Sequence, residues 1–586
     1  MLKALAVALT LLAVPALAHA TPADEKAMQA IVRDYQAWYE TQDPIGAGIN
    51  GDKAALSKLP DITPTSDAAR KVALLAFDKR VRAVPTAGLS EDSKLNQGFL
   101  ERILNDQLQD IRFDTGRMPF NSDSGFHQTM AYLASSTPID SEADALAWIA
   151  RLEAMPKYYA DNLANIRRGI RDGFTQPKLI AVIVAGQARR AADAPLETDP
   201  LLAPFVKLPA SISPARQAEL RARALAVLKD KVRPAQRDFA ELMEKEYLPA
   251  ARPGLGASTL PDGKAYYQWR VSYFTTTAMT PDEIHALGVS EVARIRAEML
   301  TVMAQTGFKG SLQEFIAYLR TDPRFYAKTP EELLSYASTI AKRIDDQLPR
   351  WFGTLPRLTY GVRPVPAEIA EGYTSARYFT GSPRQGVAGG FMVNTSHLDQ
   401  RPLYEMTALA LHESVPGHHL QIALGQELDD VPAFRRDADM TAFTEGWGLY
   451  AEQLGDEMGI YLTPYDEFGR LSMEMWRACR LVADTGIHWL GWTKEEARTC
   501  FTDNTALAPL NIENELNRYI AWPGQALGYK IGELKIMSLR AKAKAELGGK
   551  FDIRRFHDAV LLAGPLPMDL LEGRIDRWIA AEKARK

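Results

Sequence analysis

His412 to Leu420 reads HESVPGHHL, and both the fold and the chemistry of the chain turn on how that stretch is read. Two histidines four apart on a helix lie about 40° apart around the axis and one turn along it, so both imidazoles can reach one metal ion. Here the fourth position after His412 is Pro416, and histidines return only at His418 and His419. Six apart on a regular helix means about 240°, the wrong side. Pro416, however, has no N–H for the His412 carbonyl, its ring clashes with the preceding turn, and Gly417 accepts unusual dihedrals. The segment therefore predicts a Pro-Gly bulge that loops out two residues and returns His418 to the place of a second metal ligand. His419 is the alternative ligand, since seven apart restores the helix face at about 10.5 Å of rise.

A zinc site takes a third protein ligand and keeps its fourth position for water. The stretch MTAFTEGWGLYAEQLG, 440–455, offers Glu445 on a helix, 27 residues after His418, and Gly446 and Gly448 permit that helix to pack closely on the first. Glu413, beside the first histidine, is then the general base. Asp437 and Asp439 read either as carboxylates that orient the imidazoles or as solvated loop acids. The expectation is one zinc ion per chain.

Working outward, apolar residues recur at three and four along most of the chain, which predicts a mainly α fold. Thr280, Thr329 and Thr493 each precede a glutamate by three residues and mark helix starts. The proline- and glycine-rich stretch 248–263 reads as a connection between an N-terminal helical half, 21–250, and a C-terminal catalytic half, 264–586. Residues 373–395 break the pattern and predict one or two short strands beside the metal site. They read as a surface hairpin or as an edge strand that pairs with an extended substrate, with Gly389, Gly390, Phe391 and Asn394 in contact with it.

The first twenty residues, MLKALAVALTLLAVPALAHA, have one early lysine, an apolar run and a small-x-small end, which predicts a secretory signal peptide cut after Ala20 and a periplasmic or secreted protein. No cysteine lies near that point, so no membrane anchor is expected in the mature form. Composition is 46% hydrophobic and 24% charged with a net charge of −4, which predicts no nucleic-acid partner. The two cysteines, Cys479 and Cys500, read as buried thiols on separate helices, with a bridge as the alternative.

The blocks HESVPGHHLQ, TEGWGLYAEQLG, RLVADTGIHWLGWTKEEA and WPGQALGYKIGELKI together resemble the bacterial family DUF885 over most of the chain. That resemblance implies a zinc hydrolase with a large helical, gluzincin-like fold and a deep cleft, distantly similar to carboxypeptidase Taq, thimet oligopeptidase and angiotensin-converting enzyme. It implies His412, His418 and Glu445 as ligands and Glu413 as base. Peptidases similar to carboxypeptidase Taq bring a tyrosine to the reacting carbonyl from a G-x-F-G-Y segment. Gly524 to Tyr529 is similar in order but not in spacing.

Hydrolysis builds negative charge on a tetrahedral oxygen, and Tyr529 and His488 are the candidate donors to it. His488 reads alternatively as a packed histidine bonded to Asp484. Arg480, Arg518 and Lys530 are candidates to hold a substrate carboxylate. No G-x-S-x-G elbow, phosphate loop or dinucleotide fingerprint supports a rival class. The expected activity is peptide hydrolysis by a metal-activated water. A metal-dependent amidase or esterase on a non-peptide substrate and a catalytically inactive scaffold are the alternatives.

Overall fold

Side-chain caps start the helices where the sequence places them. In a computed structural model, which describes residues 21–585 apart from 371–373 and 384–385, Thr280 and Thr493 form reciprocal capping boxes with Glu283 and Glu496. Thr329 caps the Glu332 N–H, but the Glu332 carboxylate reaches past it to accept from the Lys328 N–H at 2.7 Å. The expected leader and its cleavage after Ala20 lie outside the described residues.

The chain is mainly helical. The elements that build the site are α1 (Gly263–Thr275), α2 (Pro281–Gln305), α3 (Leu403–Glu413), α4 (His418–Gln426), α5 (Thr441–Glu457), α6 (Pro464–Thr485), α7 (Lys494–Asn504), α8 (Pro509–Ala521) and α9 (Gly528–Leu547). Helices α5 and α9 cross at Gly446 and Gly532, where a Cβ on Gly446 would lie 2.5 Å from the Gly532 carbonyl carbon. Only glycine permits that approach, which sets the position of Glu445 against the start of α9.

One hydrophobic core runs from Met28 to Ile579 and includes side chains from both halves. A second cluster joins Phe113 and Phe174 to Tyr266, Tyr267 and Trp269 of α1 and to Leu481, Leu527 and Ile531. The connection 248–263 is knitted in by Arg252, whose guanidinium donates to the carbonyls of Thr175 at 2.7 Å and Gly256 at 2.6 Å.

Three strands form a small sheet in the order β1 (Tyr360–Pro364), β3 (Gly389–Val393), β2 (Ala376–Phe379), with β3 parallel to β1 and antiparallel to β2. This corrects the expected edge strand. The glycine-containing segment is the central strand, with both backbone edges paired, because β1 joins it from a stretch the sequence reading does not include.

The cysteines are a second correction: Cys479 of α6 and Cys500 of α7 form a disulfide with a Cα–Cα distance of 5.7 Å. Packing of α7 on α6 brings them together across 21 residues. Closing a loop of that size is worth about 3 kcal/mol. Replacing both cysteines by Ala should lower unfolding free energy by at least that much in denaturant titrations under oxidising conditions. An unchanged transition midpoint would show that the bridge contributes nothing.

Candidate metal centre

Helix α3 is buried from Tyr404 to His412 and ends at Glu413, because Ser414 leaves helical dihedrals (φ −99°, ψ −120°) and Pro416 cannot continue the ladder. The Val415–Pro416 peptide is cis. The Trp447 indole N–H donates to the Pro416 carbonyl at 2.8 Å, and the His419 N–H returns to the Ser414 carbonyl at 3.0 Å. A Cβ on Gly417 would lie 2.0 Å from the His412 carbonyl oxygen, so only glycine fits the inside of this turn. The turn absorbs two residues and starts α4 at His418, whose ring lies 4.6 Å from that of His412, centroid to centroid, and nearly perpendicular to it.

Helix α5 brings Glu445 to both. Its Oε2 lies 3.3 Å from His412 Nε2 and 3.6 Å from His418 Nε2, and the three ligand atoms fall within 4.8 Å of one another. Two donors each about 2.1 Å from a tetrahedral ion sit about 3.4 Å apart, so this set fits a zinc ion in both spacing and chemistry. Gly446 and Gly448 of α5 divide their work. A Cβ on Gly448 would meet the His412 ring at 2.6–2.9 Å, so Gly448 lets the imidazole lie on the helix, whereas Gly446 serves the crossing with α9 instead of α3.

His412 is oriented from behind. Its Nδ1 lies 2.8 Å from Glu452 Oε1, which directs Nε2 inward, and Arg477 Nη2 holds the same Glu452 oxygen at 3.2 Å. Burial disfavours charge on His412, yet hydrogen bonds to Glu445 and Glu452 push its pKa up to about 9. Burial likewise opposes the Glu445 charge, and the two histidines hold its carboxyl well below the usual range. The buried carboxylate of Glu452 and the half-buried one of Glu445 thus draw positive charge to one point, a demand that a metal ion meets as well as a proton does. Neither Glu452 nor Arg477 is among the sequence candidates. The signal for Glu452 is its spacing: seven residues after Glu445 is two turns on the same helix face. Asp437 is instead exposed and paired with Arg436 at 2.8 Å, and Asp439 is exposed as well.

Glu413 keeps partial exposure beside the ligands, and its Oε2 accepts the Tyr378 backbone N–H at 2.7 Å. That N–H points away from β3, so the strand flanking the site is the edge strand β2. His419 is not part of the converging set. Its Nε2 donates to the Leu358 carbonyl at 3.0 Å and its Nδ1 accepts from the Tyr378 hydroxyl at 3.0 Å, while burial pushes its pKa down to about 4. A Cβ on Gly389 would strike this His419–Tyr378 pair at 2.7 Å. The expected substrate contacts are corrected accordingly: Gly389 makes room for a structural hydrogen bond, Gly390 and Phe391 are buried in the central strand, and Asn394 is buried with its amide donating to the Ala370 carbonyl at 2.8 Å.

Gly524 turns the chain with φ +81° and donates its N–H to Asp484 at 3.1 Å, so that α9 begins at Gly528 and presents Tyr529. Tyr529 is half-buried with the Arg480 guanidinium 4.2 Å over its ring. Burial raises its pKa, and the Glu445 charge raises it further.

His488 is a correction. It is fully buried, its Nδ1 accepts the Ala257 N–H at 2.9 Å and its Nε2 donates to the Tyr519 carbonyl at 2.9 Å. Burial pushes its pKa down to about 3, and it pins the connection between the halves to α8. Asp484 bonds the Tyr267 hydroxyl at 2.6 Å instead of His488. Lys530 is also spent, fully buried among Glu474 and Glu533 at 2.7 Å and Glu291 at 3.3 Å.

Fold and site together define a mainly helical protein with a two-histidine, one-glutamate centre at a broken helix. The chain belongs to the family of bacterial proteins of unknown function DUF885, which it matches over residues 44–575. It is similar to the crystal structure of the putative lipoprotein from Colwellia psychrerythraea, with 28% identity, coverage of 95% of this chain and 99% of that chain, and a TM-score of 0.88. The structure of a putative lipoprotein of unknown function from Shewanella oneidensis shares the fold at 18% identity, with 93% and 98% coverage and a TM-score of 0.70. No curated protein matches. Among the described residues, no helix is long and apolar enough to cross a membrane.

Proposed function

We propose that the chain is a zinc-dependent hydrolase of peptide bonds that works in the periplasm or outside the cell. The observation that carries this reading is the convergence of His412 Nε2, His418 Nε2 and Glu445 Oε2 within 4.8 Å, with Glu413 beside them. A bound zinc ion supplies Lewis acidity and lowers the pKa of water at the site. The remaining chemistry belongs to the chain. With one Glu413 oxygen held by the Tyr378 N–H, the other is left to take the proton of the attacking water and return it to the leaving group. Tyr529 donates to the oxyanion. A cavity of about 590 Å³ between the halves, walled by Trp38, Trp269, Tyr273 and Phe434, reaches Asp439 and Met440 at the foot of α5, and none of His412, Glu413, His418, Glu445 and Tyr529 lines it.

An amidase or esterase acting on a non-peptide substrate is the second reading. It is favoured by the pairing of β3 on both sides, which removes the strand proposed to recognise an extended peptide. Metal analysis of the purified protein, with a peptide-library digest read by mass spectrometry, tests the two. About one zinc per chain and chelator-sensitive peptide cleavage are expected. A metal-free protein, or a loaded one that cuts esters and no peptide, would overturn the proposal.

Tyr529→Phe removes only the hydroxyl. Turnover should fall by about 10²- to 10³-fold with ground-state binding, zinc content and melting temperature nearly unchanged. A fall of less than about threefold would make Tyr529 a packing residue.

A further inference from the structure

The cavity between the halves lies outside the metal centre and has a chemistry of its own. Carboxylates of Glu40, Asp43, Asp106, Asp110, Asp437 and Asp439 line it, against the guanidiniums of Arg70 and Arg270. Part of this charge is cancelled. Arg70 is held by Asp67, Asp437 is paired with Arg436 at 2.8 Å, and Asp106 lies 3.6 Å from Arg102. Glu40 accepts from the Gln36 amide at 2.9 Å, Asp43 caps the Gly46 N–H at 3.0 Å, and Asp110 accepts the Thr115 hydroxyl. Among the described residues these three and Asp439 form no ion pair, and neither does Arg270, which leaves four carboxylates against one guanidinium. Charge inside a cavity with low-dielectric walls is screened less than charge on an open surface, so an excess of this sign draws a cation.

Arg270 shows what the walls accept. Its guanidinium lies 5.2 Å over the ring of Trp269, 5.1 Å over that of Tyr273 and 4.5 Å over that of Phe274. Trp38 and Tyr39 add two more aromatic side chains to the lining. An ammonium or guanidinium on an aliphatic stem suits such a place, because ring faces attract the cation and the stem covers apolar area. The walls also hold donors. Trp269 is 8% exposed, and its indole N–H, which helps hold the Asp106 charge, forms no hydrogen bond of normal geometry. Arg270 Nε is likewise buried without an acceptor. Donors without acceptors beside an excess of carboxylates call for a ligand that brings carbonyl oxygen as well as positive charge. An inorganic cation brings only the second.

We propose that this cavity binds a basic residue of the peptide substrate, with the lysine or arginine side chain among the carboxylates and neighbouring backbone carbonyls on Trp269 and Arg270. The proposal rests on the peptidase reading for what becomes of the peptide, and not for its binding. The basic residue is held apart from the bond that is cut, since no metal ligand lines the cavity.

The test uses two N-acetylated, C-amidated heptapeptides, six alanines around a central lysine or a central norleucine, and cadaverine as a free amine. Affinities are measured by calorimetry on the zinc-loaded full chain carrying Glu413→Gln. The lysine peptide should bind about 30-fold more tightly than the norleucine peptide. Asp110→Asn with Asp439→Asn should bring that ratio below about threefold. If this pair fails a melting check, Ala438→Lys, which adds a cation of the chain to the lining, should do the same. Cadaverine should bind at least about tenfold more weakly than the lysine peptide, because it leaves the donors of Trp269 and Arg270 unmet. Equal affinities of the two peptides overturn the proposal, as does cadaverine that binds as tightly as the lysine peptide. Chelation of the zinc should leave the preference intact, and its disappearance with the metal would put the lysine at the metal centre and overturn the proposal too. A preference for lysine with neither peptide cut by the wild type refutes the peptidase and upholds the binding site. Equal affinities with both peptides cut do the reverse.

Discussion

Glu413→Gln should retain its zinc and lose hydrolysis by about 10²- to 10⁴-fold, the range that a positioned general base supplies. The substitution is informative because the surroundings of Glu413 tolerate it. Glutamine has the same shape, and its amide oxygen can accept the Tyr378 N–H that Glu413 Oε2 accepts at 2.7 Å, so β2 keeps its place against α3. What disappears is the basicity of the second oxygen. Zinc content by elemental analysis and the melting temperature should both match wild type, while kcat falls and KM hardly moves. Near wild-type turnover would take Glu413 out of the mechanism. A parallel loss of zinc would mean that it acts as a ligand.

His418→Ala should abolish stoichiometric zinc binding, with affinity down by more than about 100-fold, because two donors cannot close a structural or catalytic zinc site. His419→Ala is the control, and the two adjacent residues are expected to behave in opposite ways. Both nitrogens of His419 are engaged by Tyr378 and the Leu358 carbonyl, so its loss leaves two buried groups without partners and should cost about 1–3 kcal/mol of stability while the metal stays. Since Tyr378 also holds Glu413, some fall in turnover is expected with His419→Ala even at full zinc loading. Zinc titration of the two purified variants decides the matter. Metal kept by the first and lost by the second would invert the assignment and refute the two-residue bulge.

Those two predictions rest on different kinds of information. The break at Pro416 and Gly417 follows from covalent properties, a missing N–H and a missing Cβ, and these act wherever the segment lies. The helix starts at Thr280 and Thr493 are local in the same sense, since a cap and its partner lie three residues apart. For this reason the mainly helical fold and the placing of His412, His418 and Glu445 as one cluster are legible in the chain. The family membership is legible too, because it is carried by contiguous blocks.

What tertiary structure decided is the partner of each polar group. His418, His419 and His488 are the same residue type in similar apolar surroundings, and nothing local separates them. His488 is structural because Ala257, 231 residues away, offers an N–H, and His419 because Leu358 and Tyr378 arrive from 61 and 41 residues away. Glu452 orients His412 across 40 residues, Cys479 meets Cys500 through the packing of α7 on α6, and Gly389 to Val393 becomes a central strand when β1 pairs with its open edge. Local sequence sets the dihedrals and the faces of each element. Which donor meets which acceptor depends on how those faces stack, because a buried polar group takes whatever partner the packing brings within about 3 Å.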